Sequence, residues 1–384
     1  MALRPSRRGL VPPFLAMDVL RAASEREAAG DAIIHLEVGQ PGTPAPAAVR
    51  AAARRALERD RIGYTDALGV TALRRAIAAH YRAQYGIAVE PREIVVTTGS
   101  SAGFLLAFLA AFEAGERVAL AAPGYPAYRN ILGALGLEPV LLEVGEDTHY
   151  QPTPELVAAA GPLAGLIVAS PANPTGTMIG AEELARLAAY CREHAIRLVS
   201  DEIYHGITYE RPAATARAFD NAAIVVNSFS KYYSMTGWRL GWMLMPPELS
   251  RPIECLAQNL YISPPALSQL AAVAVFDCRA ELDRHVARYR DNRDLLLAAL
   301  SAAGLRRFAP AEGAFYLYAD ISSLSRDSGA FCRRLLAETG VAVTPGRDFD
   351  PIRGDDWIRL SFAGDSAEIA EAARRLKAWL PRAG

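Results

Sequence analysis

The stretch Ser228-Phe229-Ser230-Lys231-Tyr232-Tyr233-Ser234-Met235-Thr236-Gly237-Trp238-Arg239-Leu240-Gly241 places a lysine among serines and an arginine eight residues behind it. Lysine is scarce in this chain: of 41 basic residues only Lys231 and Lys377 are not arginine. Arginine serves wherever a bare positive charge suffices, so Lys231 is expected to do what a guanidinium cannot. A desolvated ammonium, or one set beside another cation, can lose its proton and attack a carbonyl to form a Schiff base. The apolar run Ala223–Val226 ends at Asn227-Ser228 and reads as a buried strand that delivers the hydroxyls and the lysine to its C-terminal edge. Arg239, after Gly237 and among small hydroxyl residues, offers a planar donor fork suited to phosphate. Lysine and anion site together point to a phosphorylated aldehyde cofactor. The plainer alternative is a solvated loop lysine beside an ordinary surface arginine.

Working outward, the 384 residues are 51% hydrophobic with net charge -1, enough to bury a large core and to form two or three structural units. Interspersed charge of both signs gives no basic face for nucleic acid or an anionic membrane, so small molecules or a second copy are the expected partners. Cys191, Cys255, Cys278 and Cys332 lie far apart with no CxxC or Cys/His cluster, which favours free thiols in a reducing cytoplasm. Pro12-Pro13 and Asp18 interrupt the first apolar stretch, and the longest apolar run, Phe104 to Phe112, is too short to span a bilayer.

From about residue 90 to 245 short apolar runs alternate with helical patterns, which predicts an α/β fold with a mainly parallel, doubly wound sheet. The runs are Ile94–Thr98, Val118–Ala122, Pro139–Val144, Leu166–Ser170, Ile196–Ser200, Ile224–Asn227 and Leu240–Met245. Ligands in such sheets sit beyond the C-terminal strand ends, and the chemically suggestive residues recur there. After the first run, Thr97-Thr98-Gly99-Ser100-Ser101 opens a helix, where Ser100 and Ser101 could bring a phosphate to free N–H groups or simply cap them. After the second come Pro123-Gly124-Tyr125-Pro126 and Tyr128. After the fourth, Asn173 stands between prolines in Ser170-Pro171-Ala172-Asn173-Pro174-Thr175-Gly176. The fifth ends in Asp201-Glu202-Ile203-Tyr204, and a carboxylate at a buried strand end needs a cation.

Earlier in the chain, helical spacing predicts helices over about 14–29 and 46–59, with Gly39-Gln40-Pro41-Gly42 as a tight turn between them and Gly63-Tyr64 after. Beyond about 275 the text changes to a long Arg-rich helix, Glu281 to Leu300. Short strands follow, including Gly313-Ala-Phe-Tyr-Leu-Tyr and Trp357-Ile358-Arg359-Leu360-Ser361-Phe362, and then a terminal helix, Ser366 to Leu380. This reads as a smaller α+β unit, so the expected division is an N-terminal arm at 1–44, a large unit at 45–275 and a small one at 276–384.

These motifs, in this order, resemble the class I/II aminotransferases, the pyridoxal-phosphate enzymes of fold type I, from about Pro13 to Leu380. The resemblance implies a seven-stranded, mainly parallel sheet with helices on both faces plus the smaller α+β domain. It implies that pyridoxal 5′-phosphate is carried on Lys231, which shuttles a proton. Asp201 is implied to pair with the ring nitrogen, with Glu202 the competing acid; Asn173 and Tyr204 would meet the phenolic oxygen. Tyr125 would stack on the ring, Tyr128 being the alternative, while Arg239, Ser228, Ser230, Ser100 and Ser101 hold the phosphate. Gly39 would line the substrate pocket and Arg359 grip the substrate α-carboxylate. Tyr64 would reach the site of a homodimer partner. The implied activity is transfer of an amino group from an L-amino acid to a 2-oxo acid, with β-elimination at carbon–sulfur bonds as the competing chemistry. A regulatory, non-catalytic relative is the remote alternative, since the segment ahead of the resemblance is too short for a DNA-binding domain. Serines at 100–101, where aspartate-directed relatives often carry a cation, incline the expected donor toward neutral or aromatic amino acids.

Overall fold

In the computed structural model, which describes residues 3–383, all seven apolar runs form strands of one sheet. They are β1 (Ile94–Thr97), β2 (Arg117–Ala122), β3 (Glu138–Glu143), β4 (Gly165–Ala169), β5 (Arg197–Asp201), β6 (Ile224–Ser228) and β7 (Gly241–Leu244). Their order across the sheet is β1-β7-β6-β5-β4-β2-β3. Only β7 runs against its neighbours β1 and β6; the remaining pairings are parallel.

The strands read as unbroken apolar runs because both faces are covered. Successive side chains point to opposite faces, so Ile94 and Val96 join one core with Leu166, Val168, Trp242 and Leu244, whereas Val95 joins another with Ile167, Val199 and Met243. The first face is closed by helices Ala47–Arg59, Thr71–Tyr85 and Ala181–Glu193, which contribute Val49, Leu73, Ile77, Tyr81 and Leu187. The second is closed by Ser100–Ala111, Pro126–Leu135 and Ser250–Leu260, through Phe104, Phe108, Leu132 and Ile253.

A separate core carries a small antiparallel sheet of β8 (Tyr316–Asp320), β9 (Thr344–Pro345) and β10 (Trp357–Ser361), in the order β9-β10-β8. Leu317, Ile358 and Leu360 from this sheet meet Leu335, Ile369 and Leu376. Ile34 and Leu36 enter the same core, and Ile34–His35 pairs in parallel with Val341–Ala342. The helix Arg279–Ala302 bridges the two bodies, with Leu282 in the large core and Val286, Tyr289 and Leu296 in the small one.

Candidate active site

The C-terminal strand ends of the large sheet and strand β10 of the small one enclose a cavity of about 190 Å³. Gly39, Ser100, Ser101, Tyr125, Asn173, Asp201, Tyr204, Ser230, Lys231, Arg239 and Arg359 all line it, although they are scattered over more than three hundred positions. Two of the expected residues do not. Ser228 is buried behind Ser230, its Oγ donating to Ser230 Oγ at 2.9 Å and sharing Leu240 O at 3.1 Å. Tyr64 is 83% exposed, away from this chain's cavity.

Lys231 follows β6 on a loop turned by Ser234 and Arg239, both at positive φ. Its Nζ donates to Gly39 O at 2.7 Å. Burial lowers its pKa to about 8, the Arg359 and Arg239 charges push the same way, and Asp201 pulls back. The ammonium therefore releases its proton within reach of neutral pH. Gly39 has no room for a side chain, since a Cβ there would lie 1.7 Å from Tyr316 Oη.

Asp201 ends β5 almost fully buried. Burial raises its carboxyl to about 6, opposed by donation from Tyr128 Oη, from the Ile203 amide and by the Lys231 charge. Tyr128 is thus engaged with Asp201, and Tyr125, which packs edge-on against Phe14 at 5.8 Å, is left as the aromatic wall. Glu202 points the other way, away from the cavity lining. Tyr204 Oη pairs with Tyr316 Oη at 2.6 Å.

At the opposite end, Gly99 begins the helix Ser100–Ala111 with φ +83 and no side chain caps the first turn. Its first N–H groups are therefore free to face an anion. The Arg239 guanidinium lies against Gly99, where a Cβ would come within 2.6 Å of Nη2. Backbone amides, a guanidinium and the Ser230 hydroxyl around space that only glycine leaves open fit a phosphate group.

Arg359, on β10, is almost wholly buried. Nη1 donates to Asn173 Oδ1 at 2.9 Å and Nη2 to Glu37 O and Thr344 Oγ1. Its Cζ lies 4.4 Å from the Tyr316 ring centre and 4.7 Å from that of Phe349. Helix Leu15–Ala28 roofs the cavity with Phe14, Ala16 and Met17 and is capped from afar, Asp348 accepting from Leu15 and Ala16 amides at 3.1 Å each.

Sequence reasoning passed over the roof, Tyr316 and the engagement of Tyr128. Tyr316 was visible in Gly313-Ala-Phe-Tyr-Leu-Tyr only as a strand residue, and the roof only as a helix; neither pattern reveals which cavity an element faces.

The family described as Aminotransferase class I and II matches residues 31–376. A valine–pyruvate aminotransferase of Mycobacterium tuberculosis is 54% identical, over 99% of this chain and 100% of its own. A crystal structure of an aminotransferase from the same organism superposes with TM-score 0.97 at 53% identity, covering 99% of this chain and 100% of the other. The aspartate aminotransferase of Thermus thermophilus with maleate superposes at 0.93 with 32% identity, covering 98% of this chain and 100% of the other.

Proposed function

The chain belongs to the class I and II aminotransferases, pyridoxal-phosphate enzymes that transfer an amino group from an amino acid to a 2-oxo acid, and from that premise we propose which residues perform the transfer and on which donors. One observation carries the reading: Lys231, Asp201 and Arg359 converge on one cavity, the lysine with a depressed pKa. Bound pyridoxal 5′-phosphate supplies the aldehyde that carries the amino group and a ring that delocalises the electrons of the broken Cα–H bond. Lys231 would hold the cofactor at rest and, once free of it, its Nζ would take up the substrate Cα proton and give it back. Asp201 would pair with the ring nitrogen and favour its protonated form. Arg239, Ser230, Ser100 and Ser101 would hold the phosphate, with Ser228 bracing Ser230 from behind. Asn173 and Tyr204 would meet the phenolic oxygen, Tyr125 would wall the ring and Arg359 would receive the substrate carboxylate beside Gly39.

The donor is a neutral amino acid, aliphatic or aromatic. Phe14, Ala16, Met17 and Val38 make the substrate end apolar, and the only cations lining the cavity among the described residues are Lys231, Arg239 and Arg359. All three are committed to the cofactor or the α-carboxylate, which leaves none in this chain for a second carboxylate. The similarity to a valine–pyruvate aminotransferase supports valine as a donor and pyruvate as an acceptor. Faster turnover of aspartate than of valine, alanine, methionine or phenylalanine would overturn this assignment.

The working form is a cytoplasmic homodimer. Tyr64 stands beside exposed Ile62, and Thr65 N donates to Ser263 Oγ at 3.2 Å, next to exposed Leu260 and Ile262. Such an apolar patch suits a second copy, whose cavity Tyr64 would complete. The functional units are 1–44, 45–275 and 276–384. Four free cysteines accord with a reducing compartment, and among the described residues no helix is long and apolar enough to cross a membrane.

The deciding experiment is the visible spectrum of the purified enzyme beside Lys231→Ala. A band that depends on Lys231, and that an added neutral amino acid bleaches without ammonia release, is the expected result. Ammonia and pyruvate release would indicate elimination instead, and a spectrum indifferent to Lys231 would remove the lysine from its role.

A further inference from the structure

Glu202 adjoins Asp201 yet has no contact with the cavity, and it is completely buried. Its Oε1 accepts three hydrogen bonds, from Ser200 Oγ at 3.2 Å, Thr215 Oγ1 at 3.0 Å and the Ala216 amide at 2.9 Å. Its Oε2 has no hydrogen-bond partner and lies 3.5 Å from Nδ1 of His205. The protonation of that ring follows from its surroundings. Nε2 lies 3.0 Å from Ser170 O, which can only accept, so Nε2 carries the hydrogen. Burial, with His80 adding to it, lowers His205 to about 3, so the ring is neutral and Nδ1 is a lone pair that accepts from Tyr85 Oη at 2.7 Å. An ionised Oε2 would face that lone pair, buried and without a donor, the arrangement that costs most. Protonating Oε2 removes a charge that no donor there answers.

We propose that Glu202 is a positioning residue that works as an uncharged carboxylic acid, leaving Asp201 the only ionised carboxylate at the end of β5 and switching the site off when it loses its proton. The inference rests on the proposed role of Asp201. Burial of Glu202 raises its pKa to about 8, the three donors to Oε1 oppose this, and the neighbouring Asp201 charge reinforces it. The groups around it agree. Helix Thr71–Tyr85 turns Tyr81 and Tyr85 toward it, both held protonated far above the usual tyrosine value by burial first and by Glu202 second, with His80 kept neutral by burial. From its own turn come Asp201 and His205, and from the next loop only Thr215 and Ala216. Among the described residues no arginine or lysine lies within 4 Å of it. Asp201 is already charged when Glu202 ionises, so the two adjacent carboxylates and the Nδ1 lone pair then repel one another and push the strand end that carries Asp201 out of place.

The test compares the holoenzyme with Glu202→Gln, whose amide keeps the Oε1 acceptor and, like the neutral acid, carries no charge. The ratio of wild-type to variant kcat/KM is expected near one at neutral pH. It should fall as pH climbs through about 8, by roughly tenfold per pH unit beyond it. Taking the ratio removes whatever Lys231 contributes to both. A flat ratio overturns the proposal, as does a large loss for the folded variant at neutral pH. Independently of activity, the cofactor-free wild type should show the infrared carbonyl stretch of an unionised carboxylic acid at neutral pH. That band should fade near pH 8 and be missing from Glu202→Gln. If the variant does not fold, the wild-type titration decides: fading near pH 8 supports the proposal, and no such band at neutral pH overturns it. Failure of the aminotransferase reading itself would appear in the Lys231-dependent visible band and leave the infrared result untouched.

Discussion

Arg359 and Asn173 stand 186 residues apart and share a hydrogen bond of 2.9 Å, Nη1 to Oδ1, which joins β10 of the small sheet to the loop after β4 of the large one. The junction between the two bodies thus passes through one guanidinium, the same one proposed to receive the substrate carboxylate.

Arg359→Lys keeps the charge but cannot hold Asn173, Glu37 O and a carboxylate in one plane. Loss of a charge-assisted hydrogen bond of about 1.5–3 kcal/mol should raise KM for the amino donor roughly tenfold to a hundredfold. Steady-state kinetics with the donor varied measure this, and an unchanged KM would place the carboxylate elsewhere.

Tyr128→Phe removes a donor that favours the charged form of Asp201. The Asp201 pKa, already about 6, must then rise. The acid limb of the kcat/KM profile should move to higher pH, costing about tenfold in rate on that limb and little above pH 8.

Gly99→Ala forces a side chain onto a backbone at φ +83 and into the Arg239 guanidinium. Strain of about 1–3 kcal/mol lowers the melting temperature, and displacing Arg239 weakens cofactor binding further. Calorimetry of the cofactor-free protein separates the first effect from the second, which a cofactor titration reads.

Tyr64→Phe should weaken cofactor affinity about tenfold while the enzyme still sediments as a dimer of 41.3 kDa chains. Unchanged affinity in an intact dimer would deny the tyrosine a place in the neighbouring site.

Glu202 also makes a stability prediction. Its folded pKa of about 8 exceeds the ordinary 4.5, so between these values the folded chain keeps a proton that the unfolded chain has lost. Stability must fall as pH rises through that window. The melting temperature of cofactor-free wild type should drop relative to Glu202→Gln between pH 5 and 8, and parallel curves would show the carboxyl ionised throughout.

The sequence by itself determined the sheet and the chemistry. Runs such as Ile224–Ser228 are apolar throughout because both sheet faces are covered, and that leaves a readable mark. Lys231 was legible because arginine had displaced every other lysine but one, and Asp201 because an acid at a buried strand end demands a partner. The tertiary structure alone decided what each group faces. It turned Asp201 into the cavity and Glu202 into a sealed pocket with His205, gave Tyr128 to the acid, and set Phe14 and Met17 against the cavity. Neighbouring residues at a strand end can differ entirely in surroundings. Those surroundings come in part from elements far off in sequence, Tyr128 73 positions from Asp201 and Tyr85 120 from His205, whose approach depends on packing that no local pattern records.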